Sequence, residues 1–258
     1  MSELPCNLNR TVVIRASRQI VFRFFTDSAR RASWWGAGST IDANPGGKVY
    51  IRHPNGIEVT GEVLEVRESE RIVFTYGYAS GKPIPPGGSR VTISLEPDKD
   101  GTRLHLLHQF PEAAPRDEHV QGWRFQLSLF GNVVANEAYA GAQDVVDGWF
   151  EAWTVADEHL RLEALTRIVT PEISFRDRYS LLDGVADLTA HIAAYLRFMP
   201  GISMQRKGIV RHCQGTVLAD WVAVNGDGRE LMSGTNVFVL AADGRISSVV
   251  GVANPPAV

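Results

Sequence analysis

At 258 residues, 44% hydrophobic and 21% charged, the chain has a globular composition and room for one large domain or two ordinary ones. Its formal net charge is −3; residues 1–140 hold 16 basic against 15 acidic side chains, and residues 141–258 hold 10 against 14. Neither half supplies the basic field that a phosphate backbone or an anionic membrane requires, so neither nucleic acid nor membrane is expected as a partner.

Cys6 and Cys213 stand far apart, outside any Cys-x-x-Cys or zinc-like spacing. No apolar stretch approaches the ~20 residues that span a bilayer. The start, "MSELPCNLNRTVVIRASRQI", lacks the basic-then-apolar order of a secretory signal. A reduced, cytoplasmic protein is expected.

In chain order, "RTVVIRA" (10–16) reads as a strand, and Ser17 starts a helix whose apolar face carries Ile20, Val21, Phe24 and Phe25. Trp34-Trp35 follow. Five strands come next, at 47–53, 57–68, 71–78, 89–96 and 102–110, with turn signals at Asn44-Pro-Gly-Gly47, Pro54-Asn-Gly56 and Asp98-Lys-Asp-Gly101. A long helix is predicted from near Asp117. Its stripe is Val120, Trp123, Leu127, Phe130 and Val134. A curved antiparallel sheet closing on that helix is the natural way to bury the stripe.

The pattern then restarts after a small-residue linker, "AYAGAQ" (138–143). Val145, Val146, Trp149, Phe150 and Trp153 repeat at helical spacing, and a second short helix runs to Val169, where Thr170-Pro171 should stop it. "EISFRDR" (172–178) alternates as a strand. A helix over 185–198 and four strands, near 202–212, 215–225, 229–241 and 245–252, finish the chain. The expected class is α+β, with a first domain at 1–140 and a second at 141–258.

The blocks "FTDSARRASWWG", "GGKVYI", "VTGEVLEVRESERIVFTY", "SRVTISLEP", "GTRLHLLHQF" and "GWRFQLSLF" give the first half its family likeness. It resembles the heat-shock-ATPase-activator-like branch of the START and birch-allergen superfamily. That resemblance implies a helix-grip fold with an apolar cavity. The blocks "VVDGWFEAWTVADE", "ISFRDRY", "LLDGVADLTAHIAAYL" and "TNVFVLAADGRISSVVGV" make the second half similar to the nuclear-transport-factor-two-like superfamily, which holds ketosteroid isomerases and SnoaL-type polyketide cyclases. The implied fold there is a cone of helices on a bent sheet with a pocket inside.

Within the helix grip, Trp34 and Trp35 would end the small helices that plug its mouth. One ring would turn into the cavity and the other would pack outward, with Gly36 and Gly38 letting the backbone turn. Trp123 and His108 are expected to face the same interior, either as core or as pocket wall. In the second half, Ile173, Phe175 and Asp177 share one strand face, so Asp177 points inward. An inward carboxylate needs a hydrogen-bond partner or a raised pKa, and in an apolar pocket it can serve as a base toward carbon acids. The resemblance places Asp177 at the proton-shuttling aspartate of ketosteroid isomerases, Trp149 at their oxyanion tyrosine and Asn236 at their protonated acid. Trp221 is a further pocket candidate, while Asp220 and His212 stay unassigned.

No Ser-His-Asp arrangement, phosphate loop, GxGxxG or His-rich cluster is present, so no cofactor and no metal are expected. The expected activity is binding of a small hydrophobic molecule, with proton transfer of the isomerase or cyclase type at Asp177. The competing reading is a chaperone-associated interaction module. A homodimer through the C-terminal sheet is a further expectation.

Overall fold

The computed structural model describes residues 3–255. The protein is a mixed α+β molecule with two sheets, and it divides into two compact units, Met1–Glu137 and Ala138–Val258.

In unit 1, β1 (Cys6–Ile14) leads into α1 (Arg18–Thr26) and α2 (Ser28–Trp35). Ser17 caps α1 by accepting from Ile20 N, and Asp27 caps α2 by accepting from Arg30 N at 2.8 Å. There follow β2 (Thr40–Ile41), β3 (Lys48–Arg52), β4 (Glu58–Arg67), β5 (Arg71–Tyr78), β6 (Ser89–Asp98), β7 (Gly101–Phe110) and α3 (Ala113–Ala138). The sheet order is β1-β7-β6-β5-β4-β3-β2, antiparallel throughout. α3 starts four residues before Asp117. Pro115 sits in its first turn, where a missing N–H costs nothing. The predicted stripe is buried from Trp123 through Val134. Phe130 meets Phe25, Trp34 and Phe24 with ring centroids 4.7, 4.8 and 6.1 Å apart.

Arg31 is a charge inside this core. It is fully buried, donates to Phe25 O at 3.3 Å and lies 5.1 Å from the Phe74 ring centroid. Desolvation pulls its pKa down to about 9, so it stays protonated at neutral pH.

Unit 2 runs α4 (Ala142–Ala152), α5 (Glu158–Ile168), β8 (Val169–Arg176), β9 (Leu181–Asp183), α6 (Val185–Phe198), β10 (Ser203–Cys213), β11 (Thr216–Val224), β12 (Glu230–Leu240) and β13 (Ile246–Ala253). The order is β10-β11-β12-β13-β8-β9, with β13–β8 the parallel pair. Thr170-Pro171 does not end the helix before a separate strand: β8 already starts at Val169 and runs through Pro171. The β13–β8 register slips between Ile246↔Val169 and Ser248↔Ser174, and the proline lies in that irregularity, where no ladder N–H is needed. Among the described residues, no helix is long and apolar enough to cross a membrane.

Candidate functional site

Unit 2 encloses a cavity of about 520 Å³. Aromatic side chains Trp153, Phe175 and Trp221 form much of its wall, α6 contributes His191 and Tyr195, and the polar groups inside are few. Trp221 lies flat across β12 because position 234 is glycine: a Cβ there would stand 2.6 Å from the indole.

Ile173 and Phe175 are buried, as their alternation predicts, but β8 ends at Arg176. Asp177 is the first residue beyond it, half-buried and facing the cavity. A tight turn holds it there. Asp177 N donates to Ser180 O at 3.0 Å, and Tyr179 N donates to Asp177 Oδ1 at 2.8 Å.

Asn236 is 5% exposed, lines the same cavity and makes no side-chain hydrogen bond among the described residues. Pairing of Asn236 with Gly251, and of Val250 with Arg176, puts Gly251 between Asn236 and Asp177. A Cβ on Gly251 would meet Asn236 Oδ1 at 3.2 Å and Asp177 Cβ at 3.3 Å. The absence of a side chain at Gly251 therefore leaves room between Asp177 and the amide oxygen of Asn236.

His191 joins this site, a residue the sequence reading did not single out. Its ring packs against Trp153 and Phe175, both at 5.8 Å, and its Nε2 stands 3.3 Å from Ser180 Oγ. Burial lowers its pKa, while the Asp177 charge acts to raise it. Tyr195 follows one turn later and meets Trp153 at 5.3 Å. The signal was available in helical spacing: Leu188 and Ile192 are the buried face of α6, and His191 and Tyr195 lie three residues beyond each.

Other candidates stand elsewhere. Trp149, expected at the pocket, is fully buried behind its wall, between Trp153, Phe175 and Phe238, and its indole N–H has no partner and no access to the cavity. An indole is too large to present its N–H where a phenol would. Asp220 accepts from Arg211 and Thr235, and His212 accepts from Gly215 N, so both are occupied outside the cavity.

Unit 1 has its own cavity, about 450 Å³, lined by Trp35, Trp123, His53, Tyr78 and His119 among others. Trp35 turns into it. Trp34 does not pack outward on a sheet edge: it is core, and its indole donates to Phe24 O at 3.0 Å. Gly36 is required where α2 ends, because a Cβ would fall 2.2 Å from Arg52 O.

His108 also lies behind the wall rather than in it. Trp123 Nε1 donates to His108 Nδ1 at 3.0 Å, and His108 Nε2 lies 2.9 Å from Ser89 Oγ, whose own proton goes to Tyr76 O. The indole can only donate and the serine proton is committed, so the imidazole carries its proton on Nε2 and is neutral. Burial, with His119 nearby, holds its pKa well below the ordinary range. Among the described residues, no group of three or more His, Cys, Asp or Glu is placed to hold a metal ion.

Residues 15–135 match the family described as Activator of Hsp90 ATPase homolog 1-like protein. The Activator of Hsp90 ATPase homolog 1-like match begins just after β1, ends within α3, and falls on the half whose sequence blocks resemble that branch. Similar solved structures include a protein of the SnoaL-like family from Agrobacterium tumefaciens str. C58, at 22% identity and TM-score 0.42, covering 44% of this chain and 97% of that one. The Aha1 dimer from Colwellia psychrerythraea is 17% identical, with TM-score 0.42 and coverage of 47% and 90%. Protein CV1439 from Chromobacterium violaceum is 25% identical, with TM-score 0.41 and coverage of 49% and 96%. No curated protein is a significant match.

Proposed function

We propose that unit 2 binds a small hydrophobic molecule bearing a polarised oxygen and moves a proton at the carbon beside that oxygen. Asp177 is the base and the Asn236 amide holds the oxygen. On this reading residues 1–140 form a helix-grip domain and residues 141–258 a SnoaL-like cone, and the cavity beside Trp35 and Trp123 is a second apolar binding space. The observation that carries the proposal is the placing of Asp177 and Asn236 on the two sides of Gly251 in a mostly apolar cavity.

A ketone of the right size tests it without knowledge of the natural substrate. Deuterium exchange of the carbon-bound protons of 2-tetralone, followed by NMR in D2O, should be faster with the protein than in buffer. Asp177→Asn should slow the protein-dependent exchange by about 10²–10⁴-fold, the usual worth of a positioned base. Asn236→Ala should slow it less, and Trp149→Phe should leave it unchanged. Full exchange activity in Asp177→Asn would remove the assignment.

The match over residues 15–135 favours a second reading for unit 1, a partner of a heat-shock ATPase. Co-purification with such an ATPase, together with stimulation of its turnover, supports that reading; absence of both rejects it.

A further inference from the structure

Asp177, Asn236, Ser180, His191 and Tyr195 bring polar groups to the unit 2 cavity, but the chemistry of its mouth differs. Two lining residues, Tyr179 and Phe198, are 78% and 72% exposed, far more than a closed apolar pocket needs. Each lies under the guanidinium of the residue before it: Arg178, itself a lining residue, is 5.6 Å from the Tyr179 ring centroid, and Arg197, outside the lining but next to Phe198 on α6, is 5.5 Å from the Phe198 centroid. Neither arginine has a carboxylate partner among the described residues. Elsewhere in the unit Arg206, Arg211, Lys207 and Arg245 hold Asp147, Asp220, Glu230 and Asp243, while Arg167, Arg176 and Arg229 also have no carboxylate partner among the described residues. Asp177 is the one carboxylate in the described lining, and its turn draws it inward.

A guanidinium stacked on a ring is held in plane with its N–H edge free, the geometry that grips a carboxylate or phosphate through two hydrogen bonds. We infer that the ligand of unit 2 is an amphiphile, with an apolar body inside the cavity and an oxyanion end group held at the mouth by Arg178 and Arg197. This rests on unit 2 being a binding site and adds the charge and orientation of what it binds. The exposed rings cover the part of the ligand just below its charged end. The anion stays in high dielectric, where neither it nor the arginines need be desolvated.

Calorimetric titration of the full chain with three naphthalenes tests the inference: 2-naphthoate, its neutral methyl ester, and 2-naphthyl phosphate. At least one anion should bind several-fold more tightly than the ester. That preference should fall toward unity in the Arg178→Gln/Arg197→Gln double variant while ester affinity holds. Raising salt should weaken the anions and spare the ester. Tighter naphthoate identifies a free acid as the natural end group, and tighter naphthyl phosphate identifies a phosphate ester. Ala194→Trp, on a lining position, should abolish binding of all three by filling the cavity.

Equal affinity of the wild type for ester and anions overturns the inference, as does an anion preference that survives in the double variant. Ester binding blocked by Ala194→Trp but without anion preference would leave the binding site standing and only the oxyanion lost. Failure of all three to bind, or binding indifferent to Ala194→Trp, removes both.

Discussion

Unit 1 and unit 2 each surround a cavity with aromatic walls, yet His108 beside the first and Asn236 in the second are treated in opposite ways. In unit 1 the buried imidazole of His108 is saturated: an indole proton arrives on one nitrogen and a serine oxygen receives from the other. In unit 2 the Asn236 side chain lines the cavity and makes no hydrogen bond among the described residues, and the backbone beside it carries no side chain. The first arrangement locks a wall and the second leaves a place for something else. Burial alone separates structural from functional polar residues poorly; hydrogen bonds and access to the cavity must be read together, since the Trp149 N–H also lacks a partner among the described residues yet lies behind the wall.

The largest way to break this comparison is at His108. His108→Ala opens a void and strands the Trp123 N–H, so unit 1 should lose about 3–5 kcal/mol in a urea titration. The same change should leave 2-tetralone exchange in unit 2 untouched. A loss under 1 kcal/mol would mean that the saturated network is not structural.

Next is Arg31, the exception within unit 1. Its buried charge has no carboxylate partner among the described residues, so Arg31→Met should stabilise unit 1 by about 1–4 kcal/mol. Destabilisation of that size would show that the contacts to Phe25 O and the Phe74 ring outweigh desolvation.

Acid sharpens the comparison further. Burial depresses the pKa values of His53, His108 and His119 in unit 1, so the unfolded chain takes up protons that the folded unit refuses. The stability they contribute is complete above about pH 6.5 and drains as pH falls toward the folded-state values. For fully buried His108 the slope should approach about 1.4 kcal/mol per pH unit. That share should disappear from the melting-temperature profile in a His108 variant that still folds, while the contributions of His53 and His119 remain.

The smallest effect lies at the gap. Gly251→Ala should tighten the space between Asp177 and Asn236, weaken binding of methyl 2-naphthoate several-fold by calorimetry and leave stability within about 1 kcal/mol. Unchanged affinity would show that the ligand's polar end sits elsewhere.

Most elements were legible because period and punctuation agree in them. The α3 stripe, the alternation of β7 and β11, and the turns at Pro54-Asn-Gly56 and Asp98–Gly101 are local patterns that burial then obeys. β8 starts earlier than its sequence suggests because Pro171 signals a stop locally, while the irregular pairing with β13 that tolerates it depends on a strand far along the chain, Val169 facing Ile246 and Ser174 facing Ser248. β2 and β9 are too short to show a period. At the site, Asp177 and Asn236 followed from strand faces and a family likeness. Gly251 did not, since its meaning depends on register across three elements. Trp149 failed because period gives a face and not a depth: its helix does turn it inward, and neighbouring rings stand between it and the cavity.

The one-proton imidazole at position 108 also provides a built-in gauge. Its Nε2 hydrogen is sheltered from bulk water and pinned to Ser89, so it should exchange slowly and resonate apart from the amide envelope in an ordinary proton spectrum. Watching that single line broaden or disappear reports the integrity of the N-terminal unit in any variant or ligand mixture, with no label attached.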